Sequence, residues 1–370
     1  MELKNPGASI KITIALAAFF FACGVLSHNA EAGNDSRYGS IASQTTFFLP
    51  SECVRTHSLI AADGYVFGSI WSHATSSCIW RINPTSGEVM YATSSQSGIR
   101  VGGDRMLYDK SRDTLYAIET NPATYLLTVN PHTLAVKSYP LPIEEPAMSL
   151  PSMTADGSYL YVVNNVAYPA DSILYKLSMR DYTVVATSSL PGGNYHAIIY
   201  DGHYLYMSST APDAYVVKTD INLNVIDVSN PSRSKLCSGY TDNIAEAGNY
   251  LYFGCEFGFY GVRMNKNNFE KHSLMYVGGS QFAVTYNGKY VVYGIYSGLS
   301  YGKIAVIDPA TLKMVTIKVD DGSPNEIVDD GTNLFATIWG TNRVIMFSTI
   351  IDSNGTKKVL SRKVSNPRSR

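Results

Sequence analysis

Charge, cysteine and long apolar runs are all scarce in this chain of 370 residues. Asp, Glu, Lys and Arg make up 16% of it and balance to a formal net charge of −1. No basic field is therefore available to hold a phosphate backbone, and no nucleic-acid partner is expected. One stretch alone, Ile12 to Leu26, is apolar enough to consider for a membrane. It is shorter than the roughly 20 residues a spanning helix needs, so the mature chain is expected to carry no transmembrane segment. No helix-period segment follows Ala32, and neither a Gly-x-Ser-x-Gly nucleophile elbow nor a His-Glu-x-x-His zinc site is expected. Phosphate-binding glycine loops are missing as well. The triplets beginning at Asp320 and Asp329 read as turns, because the alternating carboxylates and distal Glu of a calcium hand are absent. No metal and no cofactor are expected.

The N-terminus has the parts of an export signal. Lys4 and Lys11 flank the start of the apolar stretch, and Ala30-Glu31-Ala32 supplies a small-x-small cleavage pattern. Residues 1–32 are read as the signal, giving a secreted or periplasmic protein. An alternative is a lipoprotein anchored at Cys23, since Phe20-Phe21-Ala22-Cys23 loosely matches a lipobox. Four of the five cysteines, Cys53, Cys78, Cys237 and Cys255, lie beyond the signal. An even number in an exported chain favours disulfides over a metal site. Of the three connectivities, Cys53 with Cys78 and Cys237 with Cys255 are expected, because each pair falls within or beside one repeat.

Tyrosine, by contrast, is abundant at 27 copies, a bias suited to half-buried pleated surfaces. Much of it belongs to one recurring phrase. The segment Tyr195 to Met207, YHAIIYDGHYLYM, has an apolar run, an Asp-Gly turn and a second run alternating aromatic and aliphatic residues. That is a β-hairpin. Copies begin at Ser152, Asn243, Phe282 and Glu326, with looser ones at Leu59 and Met106. Their turns open at residues 63, 111, 156, 201, 247, 287 and 330, a spacing of about 40–50 residues that signals propeller blades. Two further strands follow each hairpin, joined in several repeats by an Asx-Pro turn such as Asn83-Pro84 or Asp308-Pro309, whose Asx side chain is expected to bond the backbone. The expected fold is all-β, a single seven-bladed propeller of four-stranded antiparallel blades over 43–365. Residues 33–42 read as a flexible lead-in and 366–370 as a basic tail. The run QTTFFLP at 44–50 has no hairpin partner and is expected to complete the last blade, with VLSRKV at 359–364 as its competitor for that edge.

The cycle of Asp-Gly, then Tyr-Leu-Tyr-Val, then Ile-Asp-Pro-x-Thr-Leu resembles the secreted YVTN and NHL-type propellers over nearly the whole mature chain. Those families share a fold and not a function; binding proteins, scaffolds and a few lyases are among them. The resemblance implies architecture, and activity only by analogy.

In a propeller the innermost strands line a central channel, and here those strands lie just before the seven turns. Polar residues at one phase of a repeat converge on the axis: Arg55 and His57, Arg100 and Arg105, Ser149 and Ser152, Tyr195 and His196, Asp242, Gln281, and Asn325 with Glu326. They mark a candidate site for a small-molecule, glycan or protein ligand at the channel mouth. Channels filled only by water are polar too. His196, His57 and Tyr195 are the catalytic candidates: with an Arg to neutralise a carboxylate, they could serve β-elimination on an anionic carbohydrate. Adjacent strand residues point to opposite faces, however, so Tyr195 and His196 reach one substrate only if the backbone twists at Gly192-Gly193. Trp71 and Trp339, with Tyr168, Tyr296 and Tyr301, fall in or beside connections after second strands and could stack on a ligand or pack between blades. A monomeric binding scaffold is the leading expectation, and a lyase-type enzyme the alternative.

Overall fold

A computed structural model describes residues 38–54, 56–70, 78–93, 105–120, 123–143, 151–166, 170–209, 216–229, 243–255, 258–296, 302–319, 322–351 and 357–359. The chain divides into two units, Met1–Ser36 and Arg37–Arg370, and the first lies outside the described residues. The second is a seven-bladed propeller. Five blades are separate four-stranded antiparallel sheets; the sixth and seventh are joined through the strand Tyr38–Phe48. The one described helix is a 3-10 turn at Ser51–Cys53.

The first strands of the blades are Thr56–Ala62, Met106–Asp109, Ser152–Ala155, Tyr195–Tyr200, Ile244–Ala247, Ser280–Tyr286 and Pro324–Asp329. Each packs beside the next, and the seventh packs beside the first, so they form a closed ring around the axis. The second strands are buried on both faces, as in Tyr204–Ser209, where Leu205 and Met207 face one way and Tyr206 and Ser208 the other. Burial on both faces follows from the architecture, because each sheet has a neighbour on either side. Apolar side chains accordingly gather into seven clusters, one at every junction between adjacent blades. Each fully buried Leu or Val there contributes about 1.5–3 kcal/mol of transfer free energy.

The turns form where the sequence placed them, for local reasons. Asp156 Oδ1 accepts the N–H groups of Ser158 and Tyr159; Asp201, Asn287 and Asp330 do the same two and three residues on. A glycine with positive φ follows each, Gly202 at 97° for example, a region open to glycine because it has no Cβ. The Asx-Pro turns likewise use their side chains: Asn83 Oδ1 accepts from Thr85 and Ser86, and Asp308 Oδ1 from Ala310 and Thr311.

Ring closure takes the expected form. Residues Gln44–Phe48 pair antiparallel with Arg343–Phe347, making the N-terminal strand the outermost of blade seven. It starts at Tyr38, inside the stretch read as a flexible lead-in, and its first two residues also run parallel to Thr316 and Ile317 of blade six. Strand Lys357–Val359 pairs with Thr349–Ile351. Those residues face the N-terminal strand on their other edge, so Lys357–Val359 does not take its place. The tail beyond Val359 is outside the described residues.

A second device, absent from the sequence reading, ties blades together. Lys218, in the third strand of blade four, sits 4.0 Å from the ring centroid of Tyr204 and donates from Nζ to the Lys266 carbonyl in blade five. Lys176 lies 4.0 Å from Tyr159 and donates to Ile221 O in blade four. Arg81, 4.4 Å from Tyr65, donates to Pro131 O and His132 O in blade two. Each cation covers an aromatic of its own blade and then satisfies carbonyls in the next blade's turn between third and fourth strands.

Cys53 and Cys78 form a disulfide with Cα atoms 5.3 Å apart, as expected, fixing the closing segment to blade one. Cys255 is also disulfide-bonded. Cys237 lies outside the described residues, and so does its expected pairing.

Candidate functional site

The antiparallel order of the strands gives the two ends of the propeller different characters. Connections within hairpins and between third and fourth strands all fall at one end and are the tight turns described above. Connections from second to third strands and from blade to blade fall at the other, and several are long: residues 71–77, 94–105, 164–171 and 229–243. The starts of the inner strands, with the candidate residues, lie at this second end.

In blades one, four and seven the inner strands do not begin as regular ladders there. Thr56 pairs with Ile70 and Ser58 with Ser69, which leaves His57 as the extra residue of a β-bulge. Tyr195 pairs with Ser209 and Ala197 with Ser208, leaving His196 in the same situation. In blade seven the register skips from Pro324 to Ile327, across Asn325 and Glu326. A bulge bends the strand and re-aims the residue it inserts.

Arg105 gathers these bulges. It lies immediately before the first strand of blade two. Its Nη1 donates to Glu326 Oε1 at 2.8 Å and to the His57 carbonyl at 3.3 Å, while Nε donates to the His196 carbonyl at 3.4 Å. One guanidinium thus joins blades one, two, four and seven. The Arg105 and Glu326 side chains are 15% and 9% exposed, so the ion pair is largely withdrawn from water and each partner depends on the other for compensation. A lysine could not replace Arg105 here, since the contacts diverge from a planar fork.

The other expected site residues divide by location. Asn325 is buried and donates from Nδ2 to the Thr56 carbonyl at 2.7 Å, fastening blade seven to blade one. Gln281 is wholly buried: its Oε1 accepts the Cys255 N–H at 3.0 Å, and Nε2 donates to Gly258 O and Gly279 O. Both side chains are directed into blade junctions. Tyr195 is fully buried in the apolar cluster between blades three and four, and its hydroxyl donates to Pro191 O at 2.7 Å. It faces the core, while the adjacent His196, the bulged residue, is only half-buried. Trp339 is half-buried, with its backbone N–H on Ser323 O at 2.9 Å. Arg55, Trp71, Arg100 and Asp242 lie outside the described residues. Among the described residues, no group of three or more His, Cys, Asp or Glu is placed to hold a metal ion, and no helix is long and apolar enough to cross a membrane.

The sequence puts both Arg100 and Arg105 at the axis phase; the former lies outside the described residues, and the latter makes these contacts. A signal for the latter was present: Arg105 stands at the same distance before the turn opening at Ser111 as His57 before that opening at Asp63. Conversely, the letters Gly-x-Ser-x-Gly do occur at 298–302. They fall between the adjacent strands Val291–Tyr296 and Gly302–Ile307 of blade six, and residues 297–301 lie outside the described residues.

No family model matches this sequence. Nor does any curated protein. Many solved structures match the fold. Among them is the Neurospora crassa Pan2 WD40 domain, at TM-score 0.61 and 10% identity, covering 89% of this chain and 99% of that one. The RRP9 WD40 repeats match at TM-score 0.63 and 11% identity, over 84% and 98%. A chain of the Mitotic Checkpoint Complex matches at 0.63 and 10%, over 94% and 97%. At such identities the likeness is one of fold: this chain is a seven-bladed β-propeller with WD40-like structural neighbours.

Proposed function

We propose that this chain is an exported binding scaffold that engages a protein partner at the end of the propeller bearing the long connections. The observation that carries the reading is the contrast between the two ends. One is finished by short turns whose polar groups satisfy each other. The other presents the long connections around an axis held rigid by Arg105 and its contacts in four blades. Recognition residues fall disproportionately on loops held by a rigid frame. One of the structures with this fold belongs to the Mitotic Checkpoint Complex, an assembly, which supports a partner-binding role. Export is supported by the N-terminal signal pattern and by the Cys53–Cys78 disulfide, a bond that persists in oxidising compartments.

Site-specific photo-crosslinking tests this directly. A photoreactive residue at Tyr296 or Trp339, beside the long connections, should capture the same partner from the native compartment. One at His203 or Lys289, in the tight turns, should capture nothing. Capture from the tight-turn positions alone would overturn the assignment of the binding end, and capture from neither would overturn the scaffold reading.

A further inference from the structure

The blade-to-blade latch is missing from blades two, six and seven, and in blade two a groove lies where it would be. In blades one, three, four and five a cation of the third strand faces an aromatic of the second: Arg81 opposite Phe67, Lys176 opposite Tyr161, Lys218 opposite Tyr206, and Arg263 opposite Tyr252. The equivalent pair in blade two is Thr128 opposite Tyr116. The covering aromatic, Tyr204 in blade four, is matched in blade two by Thr114. Two long side chains are thus replaced by two threonines. A groove of about 590 Å³ occupies the space between blades two and three, lined by Thr114, Thr128, Lys137, Tyr139, Tyr182 and Arg112 among others. It lies at the tight-turn end, away from Arg105. Blade two is joined to blade three by other means, since Arg112 donates to Gly157 O at 3.0 Å.

We propose that this groove binds a carboxylate-bearing sugar of one or two rings. Its volume lies within the roughly 300–1,000 Å³ typical of small-ligand sites. One wall is aromatic: the rings of Tyr139 and Tyr182 have centroids 4.8 Å apart and are both half-exposed. Rings with a polar tip suit ligands that are apolar on one face and wet on the other, as a sugar ring is. The Thr128 side chain and the Tyr139 hydroxyl lie within reach of sugar hydroxyls in the same groove. Charge selects the acid. Arg112 is already paired with Asp109 at 2.5 Å, and Asp113, also on the rim, is engaged by His132 at 3.0 Å and by the Tyr108 hydroxyl at 3.0 Å. That leaves the exposed Lys137 ammonium as the cation of the groove with no ion-pair partner among the described residues, and a carboxylate complements it. This site is separate from the partner-binding end, so either assignment can fail without the other.

Calorimetric titration of the full mature chain with glucuronate, digalacturonate, glucose and acetate tests the proposal. Both acidic sugars should bind, glucose should bind about fivefold more weakly than glucuronate, as an exposed ion pair predicts, and acetate should not bind measurably. Lys137→Ala should erase the preference for glucuronate over glucose. Thr128→Lys, which puts the missing cation back and refills the groove, should abolish sugar binding without lowering the unfolding midpoint. Because Lys137 is exposed, its variant reports even if Thr128→Lys does not fold. Equal binding of glucose and glucuronate, binding that survives a folded Thr128→Lys, or no binding of either acidic sugar would each overturn the assignment.

Discussion

Replacing Asp329 by Asn should stabilise this protein at neutral pH and do nothing in acid. Asp329 ends the first strand of blade seven. Its Oδ1 accepts the Gly331 N–H at 2.7 Å, and its Oδ2 is sealed from solvent. Burial, with smaller help from neighbouring Asp330, raises its pKa from 3.8 to about 6; the Gly331 N–H and the Asn287 amide offset only part of this. A raised carboxyl pKa means that the folded state favours the proton. The resulting stability is complete below the unfolded pKa of 3.8 and is lost as pH rises through 6. The difference corresponds to an upper bound of about 3 kcal/mol. Because the residue is only half-buried, solvent screening brings the expectation to about 1 kcal/mol. Asp329→Asn keeps the amide acceptor and removes the charge. Urea midpoints of both proteins should therefore coincide near pH 4, diverge between 4 and 6, and stay apart above 7 with the variant more stable. A difference that does not change with pH, or a variant less stable at pH 7, would refute the electrostatic account.

Lys218→Met should lower stability by about 2 kcal/mol in chemical denaturation, because the Lys266 carbonyl loses a charged donor and the Tyr204 ring loses its cation; Lys137→Ala, outside any latch, is the control. Glu326→Ala should cost about 3 kcal/mol by leaving the Arg105 charge uncompensated, and simultaneous Arg105→Met should recover much of it in a double-mutant cycle. If export proceeds as proposed, Edman sequencing of the mature protein should read from Gly33. Its unreduced peptide map should contain Cys53 joined to Cys78, a bond contributing about 3 kcal/mol for a loop of this length.

Much of this architecture is written locally. An Asp or Asn before a glycine makes its own turn, because the side chain bonds the N–H groups two and three residues on. Strand alternation then settles which residues share a face along a regular ladder, as in Tyr204–Ser209. The repeat length set seven blades, and the unpartnered run at 44–50 supplied the closing strand. Proximity along the chain also sufficed to pair Cys53 with Cys78. What the sequence could not contain is the meeting of groups that no spacing relates. Arg105 reaches Glu326 from across the ring, and it binds carbonyls that only the bulges at His57 and His196 make available. Asn325 and Gln281 read as polar residues at the axis phase, yet junction carbonyls and N–H groups claim their side chains. The lysine latches depend on a neighbouring blade's turn, and the groove at Thr128 exists only by comparison with the blades whose latches are complete. Local hydrogen bonding determined the turns and strands; closure of the ring alone decided which distant side chains would share a buried charge and where a blade junction would be left open.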